Sequence, residues 1–490
     1  MKINSLRLNK WYILEDFDIN FEKDLSVIIG ENGSGKSSVI EFIALVFGHL
    51  HKYFVDGDKT ADFIESYCVN FTSTIQRNGA HESHEIEIES LSYQDETDEE
   101  GTFKHVIKID GTVHTLKQAN ALFSDVAGFK CLFPPSIVLY YAGITNRLEK
   151  LSTYFEDKYK GQVIKANNTY TINPLNLPTE RPFFYCKPNH LSSILLCLMI
   201  SESEFAKVIT EKLEINENEN FIIINLKKPS WAKKNELSKS FWGSSEGAVK
   251  DFLSIVILNS YENLYDVNNI SITYVSSLNV KDMLGCFDVE NKEIFFFRML
   301  DLLMFDDLLD NIDISWKNLK GEIITLDRLS EGEKQMILTS GLAEIWNVEN
   351  SLLLLDEPDT FLHPKWQAEF IPNLSKNLKG NQAIITTHSP SIVSDVSKQQ
   401  LIGMKEGKIV EFAFNPYGKK VEEVLLDFFN VKSLRNMEVD LNIKHLRDLV
   451  EENKYDTKDF LELFRSVEEQ IGTDDPDLIS ILLEVEQRKL

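Results

Sequence analysis

At 490 residues the chain exceeds what one hydrophobic core organises, so two or three structural units are expected. Apolar content of 43% and charged content of 26% are ordinary globular values and exclude a disordered or fibrous protein. The 51 Lys+Arg against 77 Asp+Glu leave a net charge of −26, which repels nucleic acid and anionic membranes from most of the surface. Any polyanion must therefore be held locally or by a partner.

Five cysteines (Cys68, Cys131, Cys186, Cys197 and Cys286) form no CxxC pair and leave an odd one over, the pattern of a reducing compartment. The N-terminus alternates apolar and polar residues and lacks the apolar block of a signal peptide. The longest purely apolar run, 194–200, is far short of the roughly 20 residues of a membrane span. A soluble cytoplasmic protein without membrane contact is expected.

Along the chain, Phe17, Ile19 and Phe21 alternate as in a half-exposed strand, and 25–29 reads as a buried strand running into Gly30. Gly30-Glu31-Asn32-Gly33-Ser34-Gly35-Lys36-Ser37 then matches GxxxxGK[ST], with Val39, Ile40, Ile43, Val46 and Phe47 following at helical spacing. Glycines let successive N–H groups turn toward a phosphate chain, and the helix start adds partial positive charge. Lys36 would neutralise the outer phosphates of ATP, and Ser37 would ligate Mg²⁺. Gly30, Asn32, Gly33, Gly35 and Ser38 complete the expected nucleotide contacts.

Residues 68–109 read as β-hairpins with an exposed tip in the acidic stretch 85–101, and 136–141 as a further strand. Gln76 ends a strand-like run. A helix is expected at 191–200 and a loop at 227–234. That loop sets four lysines around Trp231, a pattern that suits a phosphate backbone with a stacked base and equally a solvated loop with one anchored aromatic.

Leu329-Ser330-Glu331-Gly332-Glu333-Lys334-Gln335 opens a helix whose apolar face includes Ile337, Leu338, Leu342, Ile345 and Trp346. Ser330 and Glu333 have capping-box spacing, and the same serine-capped start suits a γ-phosphate. Four leucines, 352–355, run into Asp356 and Glu357; acids at the end of a buried strand are costly unless they work. Asp356 would support Mg²⁺ and Glu357 would activate water. A β-rich run at 383–387 ends at His388, a candidate partner of the γ-phosphate and the attacking water. Residues 408–414 would close the sheet, and from Val421 the spacing predicts four short amphipathic helices.

The set 30–37, 329–335, 352–357 and His388 resembles the nucleotide-binding core of the ABC ATPase superfamily: Walker A, signature, Walker B and switch histidine. The run Asp356-Glu357-Pro358-Asp359-Thr360-Phe361-Leu362-His363-Pro364 is similar to the SMC-like and OLD-like branch. The resemblance implies an α/β P-loop head with lobes at 1–145 and 328–415, a mixed α/β insertion at 146–327 and a C-terminal helical extension at 416–490. It also implies paired heads sandwiching two ATP molecules, with Ser330, Gly332 and Glu333 acting across a seam near 359–363, and a glutamine ligand of the metal upstream of the signature, for which Gln76 is the candidate. No sustained heptads of a long coiled coil occur. Neither do the clustered acids of a Toprim domain, an HNH cluster or HExxH.

The whole architecture, with 181–185 and 418–425, is most similar to the PtuA family, the ATPases of Septu and some retron anti-phage systems. That likeness implies an ATPase switch controlling a separate HNH nuclease (PtuB-like) docked on the C-terminal helices, with nucleic acid met mainly through the complex. Two alternatives are the ATPase of a PARIS-type system and a repair or chromosome ATPase that clamps DNA directly.

Overall fold

A computed structural model describes the chain apart from residues 60–64, 94–101, 144–146, 170–180, 233–240, 243–247, 290, 346–349, 379, 430, 432 and 490. β1 (Lys2–Trp11) and β2 (Leu14–Asn20) form an antiparallel hairpin in which Phe17 and Ile19 point inward and Asp18 and Asn20 outward. β3 (Leu25–Gly30) is buried along nearly its whole length and belongs to a second sheet. After the glycine loop, α1 (Lys36–His51) continues through a π-helical turn to Asp56.

α1 is apolar on all sides and is buried on all sides, as a helix without a polar face must be. Phe42, Ile43, Val46, Phe47 and Leu50 join the core shared by both sheets. Among the described residues, Lys36–Asp56 is the one helix long and apolar enough to cross a membrane, a stretch longer than the 194–200 run singled out from sequence, and most of it is buried inside the protein.

β4 (Tyr67–Arg77), β5 (Ala80–Tyr93), β6 (Thr102–Ile109) and β7 (Thr112–His114) complete a six-stranded antiparallel sheet, β2-β1-β4-β5-β6-β7. Residues 85–93 of the acidic stretch lie in β5, with Ile86 and Ile88 buried between outward glutamates; the rest of the stretch expected to hold a tip, 94–101, lies outside the described residues. α2 (Leu116–Leu122) starts at a Thr115–Gln118 capping box and precedes β8 (Ile137–Tyr141).

α3 (Arg147–Thr169) leads toward β9 (Phe183–Tyr185), which pairs with β8 in parallel. This corrects the insertion expected at 146–327, because β9 is a strand of the main sheet. α4 (Leu191–Ile200), α5 (Glu204–Lys212), β10 (Asn220–Lys227), α6 (Ala248–Leu258), β11 (Glu262–Tyr265), β12 (Asn269–Tyr274), α7 (Ser277–Leu284), α8 (Lys292–Phe305), β13 (Leu309–Lys317) and β14 (Ile323–Thr325) follow. Their strands make an antiparallel sheet of their own, β11-β12-β10-β13-β14.

α9 (Glu331–Ile345), β15 (Leu352–Asp356), α10 (Pro364–Asn377), β16 (Gln382–Thr386), α11 (Pro390–Val393), β17 (Leu401–Lys405) and β18 (Lys408–Val410) return the chain to the main sheet. Its order is β18-β17-β3-β16-β15-β8-β9, parallel throughout except for the β17–β18 hairpin. The buried helix α4 packs on α8 and α9.

The chain divides into two compact units, Met1–Gly418 and Lys419–Leu490. The second holds α12 (Val421–Phe428), α13 (Met437–Glu451), α14 (Lys458–Ile471) and α15 (Pro476–Lys489), with a core of its own that includes Leu446, Val450, Phe460, Val467 and Leu478. Asp475 and Asp477, in the acidic cluster at the start of α15, pair with Arg435 at 2.8 Å each, and Asp477 also with Arg447 at 2.7 Å.

Candidate nucleotide site

The topology assembles the site. β16 lies between β3 and β15, all three run the same way, and their C-terminal ends share one edge, where parallel α/β sheets place their ligands. Gly30 ends β3, Asp356 ends β15 level with Thr386 at the end of β16, and His388 follows two residues on.

The glycine loop is clamped between two hairpins. A Cβ at Gly30 would lie 2.2 Å from the Met404 carbonyl oxygen, and Gly407 N–H donates to the Ser34 carbonyl at 3.0 Å. Gly35, at φ +104, caps α1 without a side-chain bond, so no side chain there occupies the first-turn N–H groups. Among the described residues, nothing beyond Gly33 and its chain neighbours lies within 4 Å of the place a Cβ would take there, and the buried Ser34 hydroxyl has no hydrogen-bond partner. Asn32 is exposed, and Ser37 and Ser38 are half-buried in the first turn of α1.

Lys36 Nζ donates to the carbonyls of Gly30 (3.1 Å) and Glu31 (3.2 Å). Burial lowers its pKa, opposed by the charges of Glu357 and Asp356. Asp356 is buried; burial raises its pKa against hydrogen bonds from Thr386 and Ser37. The Thr386 hydroxyl bridges both acids, donating to Asp356 Oδ1 and accepting from Glu357 N–H at 3.0 Å. Glu357 sits at φ +50, a conformation a non-glycine residue adopts at a cost and one that recurs at active sites. Its Oε1 is 3.4 Å from His388 Nε2. Burial and then Lys36 push the His388 pKa down against the pull of Glu357, which favours the uncharged imidazole.

Asp356, Ser37 and Glu357 present hard oxygen donors in one place, the set a magnesium ion prefers, so these residues fit such an ion. The expected ligand Gln76 does not join them. It lies near the hairpin end of β4, opposite His81, where the neighbouring Thr74 carbonyl accepts from Asn350, two residues before β15 begins. That is the opposite edge of the sheet from Asp356, because a strand-like run fixes no end of a sheet until the strand's pairing is known.

Ser330 and Glu333 form the capping box, with Glu333 Oε2 accepting from Ser330 N–H at 2.7 Å and Ser330 Oγ from Glu333 N–H at 3.3 Å. A Cβ at Gly332 would lie 2.8 Å from the Phe361 carbonyl oxygen. The start of α9 thus packs on the 359–363 loop of its own chain. Lys227 ends β10 and pairs with Asp307 at 3.1 Å, and the Trp231 indole donates to the Asp306 carbonyl at 2.9 Å. Neutralised lysine and anchored indole favour the solvated-loop reading of 227–232; Lys233 and Lys234 lie outside the described residues. Sequence reasoning missed Thr386 and Thr387 as working groups, and their only signal is a hydroxyl pair at a strand end beside a histidine.

Residues 1–393 match the family model described as an AAA ATPase domain. The chain belongs to this family. This ATPase is 22% identical to the Retron Ec83 probable ATPase of Escherichia coli, over 96% of this chain and 84% of that one. It is 28% identical to the Septu protein PtuA of Bacillus thuringiensis, over 37% of this chain and half of that one. The SMC head domain from Thermotoga maritima aligns at 16% identity and a TM-score of 0.31, over 84% of this chain and all of that one. The chain is thus an ATPase that is similar to proteins named for retron and Septu systems.

Proposed function

We propose that the chain is the ATP- and Mg²⁺-dependent switch subunit of an anti-phage complex, controlling a separate HNH-type nuclease held by its C-terminal helices. Similarity to a retron ATPase over 96% of the chain carries this reading: it leaves too few residues unmatched to omit the C-terminal unit, which lies beyond the 393 residues of the ATPase model.

The N–H groups of Gly33, Gly35 and their neighbours, with Lys36, hold the phosphate chain. Ser37 and Asp356 hold a magnesium ion that, when bound, offsets charge on the phosphates. Glu357 takes a proton from the attacking water, and His388, through its ring nitrogens, steadies water and γ-phosphate. Ser330 and Gly332 complete the site on a second copy of the chain, and the close packing of Gly332 on the Phe361 carbonyl sets them beside the 359–363 loop expected at that seam.

The test is co-purification of the chain with the product of an adjacent small nuclease gene. The nuclease is expected to follow the full chain and to be lost from a chain ending at Gly418 that still hydrolyses ATP. Retention by the shortened chain would remove the docking role. DNA-stimulated hydrolysis with steeply salt-dependent DNA binding by the chain alone would favour a DNA clamp instead.

A further inference from the structure

Outside the groups assigned to ATP, four side chains close a ring between the two loops that carry Glu357 and His388. Thr387 Oγ donates to Asp359 Oδ2 at 2.8 Å and accepts from Ser389 N–H at 2.8 Å. Ser389 Oγ donates to Gln367 Oε1 at 2.9 Å, and Gln367 Nε2 returns to the Asp359 carbonyl at 3.3 Å. The circuit therefore begins and ends on Asp359, two residues past Glu357, and passes through both chain neighbours of His388.

The ring is buried where it matters: Thr387 is 0% exposed, Asp359 5% and Ser389 6%. Buried hydrogen bonds between polar groups fix geometry, because breaking one strands its partner away from water. Asp359 accepts through one oxygen, while Oδ1 is buried without a hydrogen-bond partner among the described residues, so there the carboxyl depends on Thr387 for its polar side-chain contact. The loop it anchors needs restraint, since both Glu357 (φ +50) and Phe361 (φ +71) are held in the left-handed region. From the other side, Gln335 of α9 donates to the Pro358 carbonyl at 3.0 Å, so the residue between Glu357 and Asp359 is pinned as well.

We propose that Asp359, Thr387, Ser389 and Gln367 are positioning residues for ATP hydrolysis: they set the separation of Glu357 and His388 and contribute nothing directly to nucleotide binding. None of the four has a hydrogen bond to the glycine loop among the described residues. The proposal rests on the roles given above to Glu357 and His388.

The test compares Thr387→Val, which keeps the shape and loses the hydroxyl, with Thr387→Ser, which keeps the hydroxyl, and with Gln367→Met, all in the full chain. Thr387→Val and Gln367→Met are each expected to lower kcat roughly tenfold to a hundredfold with KM and nucleotide affinity changed less than about twofold, the pattern of misplaced groups rather than lost binding. Thr387→Ser should recover most of the rate, and the double variant should be no slower than the slower single one, because one break already opens the ring. Thermal melting identifies a Thr387→Val protein that has not folded, in which case Gln367→Met decides alone. An unchanged kcat in the folded variants overturns the proposal, as does an equal loss in Thr387→Ser. Glu357→Gln is measured alongside: hydrolysis that survives it overturns the catalytic assignment and the ring with it, whereas a dead Glu357→Gln beside a normal Gln367→Met overturns only the ring.

Discussion

Hydroxyls and histidines set the working geometry at the residue scale. Thr386 and Thr387 each place one hydroxyl between a carboxylate and a backbone N–H, so two adjacent residues order both loops of the site. A second pair of residues matters for stability. His49 and His105 are packed at 5.2 Å between ring centroids, with Nδ1 atoms 2.9 Å from Tyr67 Oη and 2.7 Å from Ser90 Oγ. Burial, helped by Lys52, pushes His49 down to about 4; burial, helped by His49, pushes His105 down to about 3. Both are neutral in the folded protein, and the unfolded chain takes up protons first as pH falls below the ordinary histidine value. Stability present above that value is thus lost with acidification, by about 1 kcal/mol per histidine between about pH 7 and about pH 5.5. Urea denaturation across that range should show a shallower pH slope for His105→Phe than for the natural chain, and an identical slope would contradict the assignment. The sequence made Lys36, Asp356 and Glu357 legible because a phosphate loop and acids ending an apolar run are rare combinations. It left the threonines silent, since a strand-end threonine has the same composition whether it packs or orders a carboxylate.

At the scale of elements, a buried charge cluster fastens α3 and α8 to the strand at the edge of the main sheet. Arg181, two residues before β9, pairs with Asp301 of α8 and lies 3.3 Å from Glu156 of α3, while His190 Nε2 is 3.2 Å from Asp301. Burial raises the Asp301 pKa, but Arg181 and His190 outweigh it and hold the carboxyl below the usual range. Removing one member strands the other charge: Asp301→Ala should cost about 3–5 kcal/mol in equilibrium unfolding. A loss below about 1 kcal/mol would mean that Arg181 finds solvent or another partner. The central strands β3, β8, β15 and β16 were readable because strands buried on both faces are apolar throughout. β9 was not, being only Phe183–Tyr185, and α3 was not, since its charged surface masks its period. Gln76 was misplaced for a related reason: local pattern identifies a strand but not the end of the sheet it reaches.

Across the whole molecule, division of labour follows from charge and topology. With an excess of −26, a polyanion has to be held locally, and in the proposed function the backbone N–H groups of the phosphate loop and Lys36 do so. The four C-terminal helices read from periodicity form a compact unit of their own, consistent with a module that serves a partner while the ATPase unit cycles. The mixed region was the least legible part, because its strands serve two different sheets and pairing across such distances leaves no local trace. All of this depends on Glu357 being the group that makes hydrolysis possible once nucleotide is held. Steady-state ATP hydrolysis and nucleotide binding by the full chain and by Glu357→Gln, measured in Mg²⁺, address that dependence directly. Unchanged binding with hydrolysis lowered at least about a hundredfold is the predicted result; turnover by Glu357→Gln at the rate of the natural chain would contradict it.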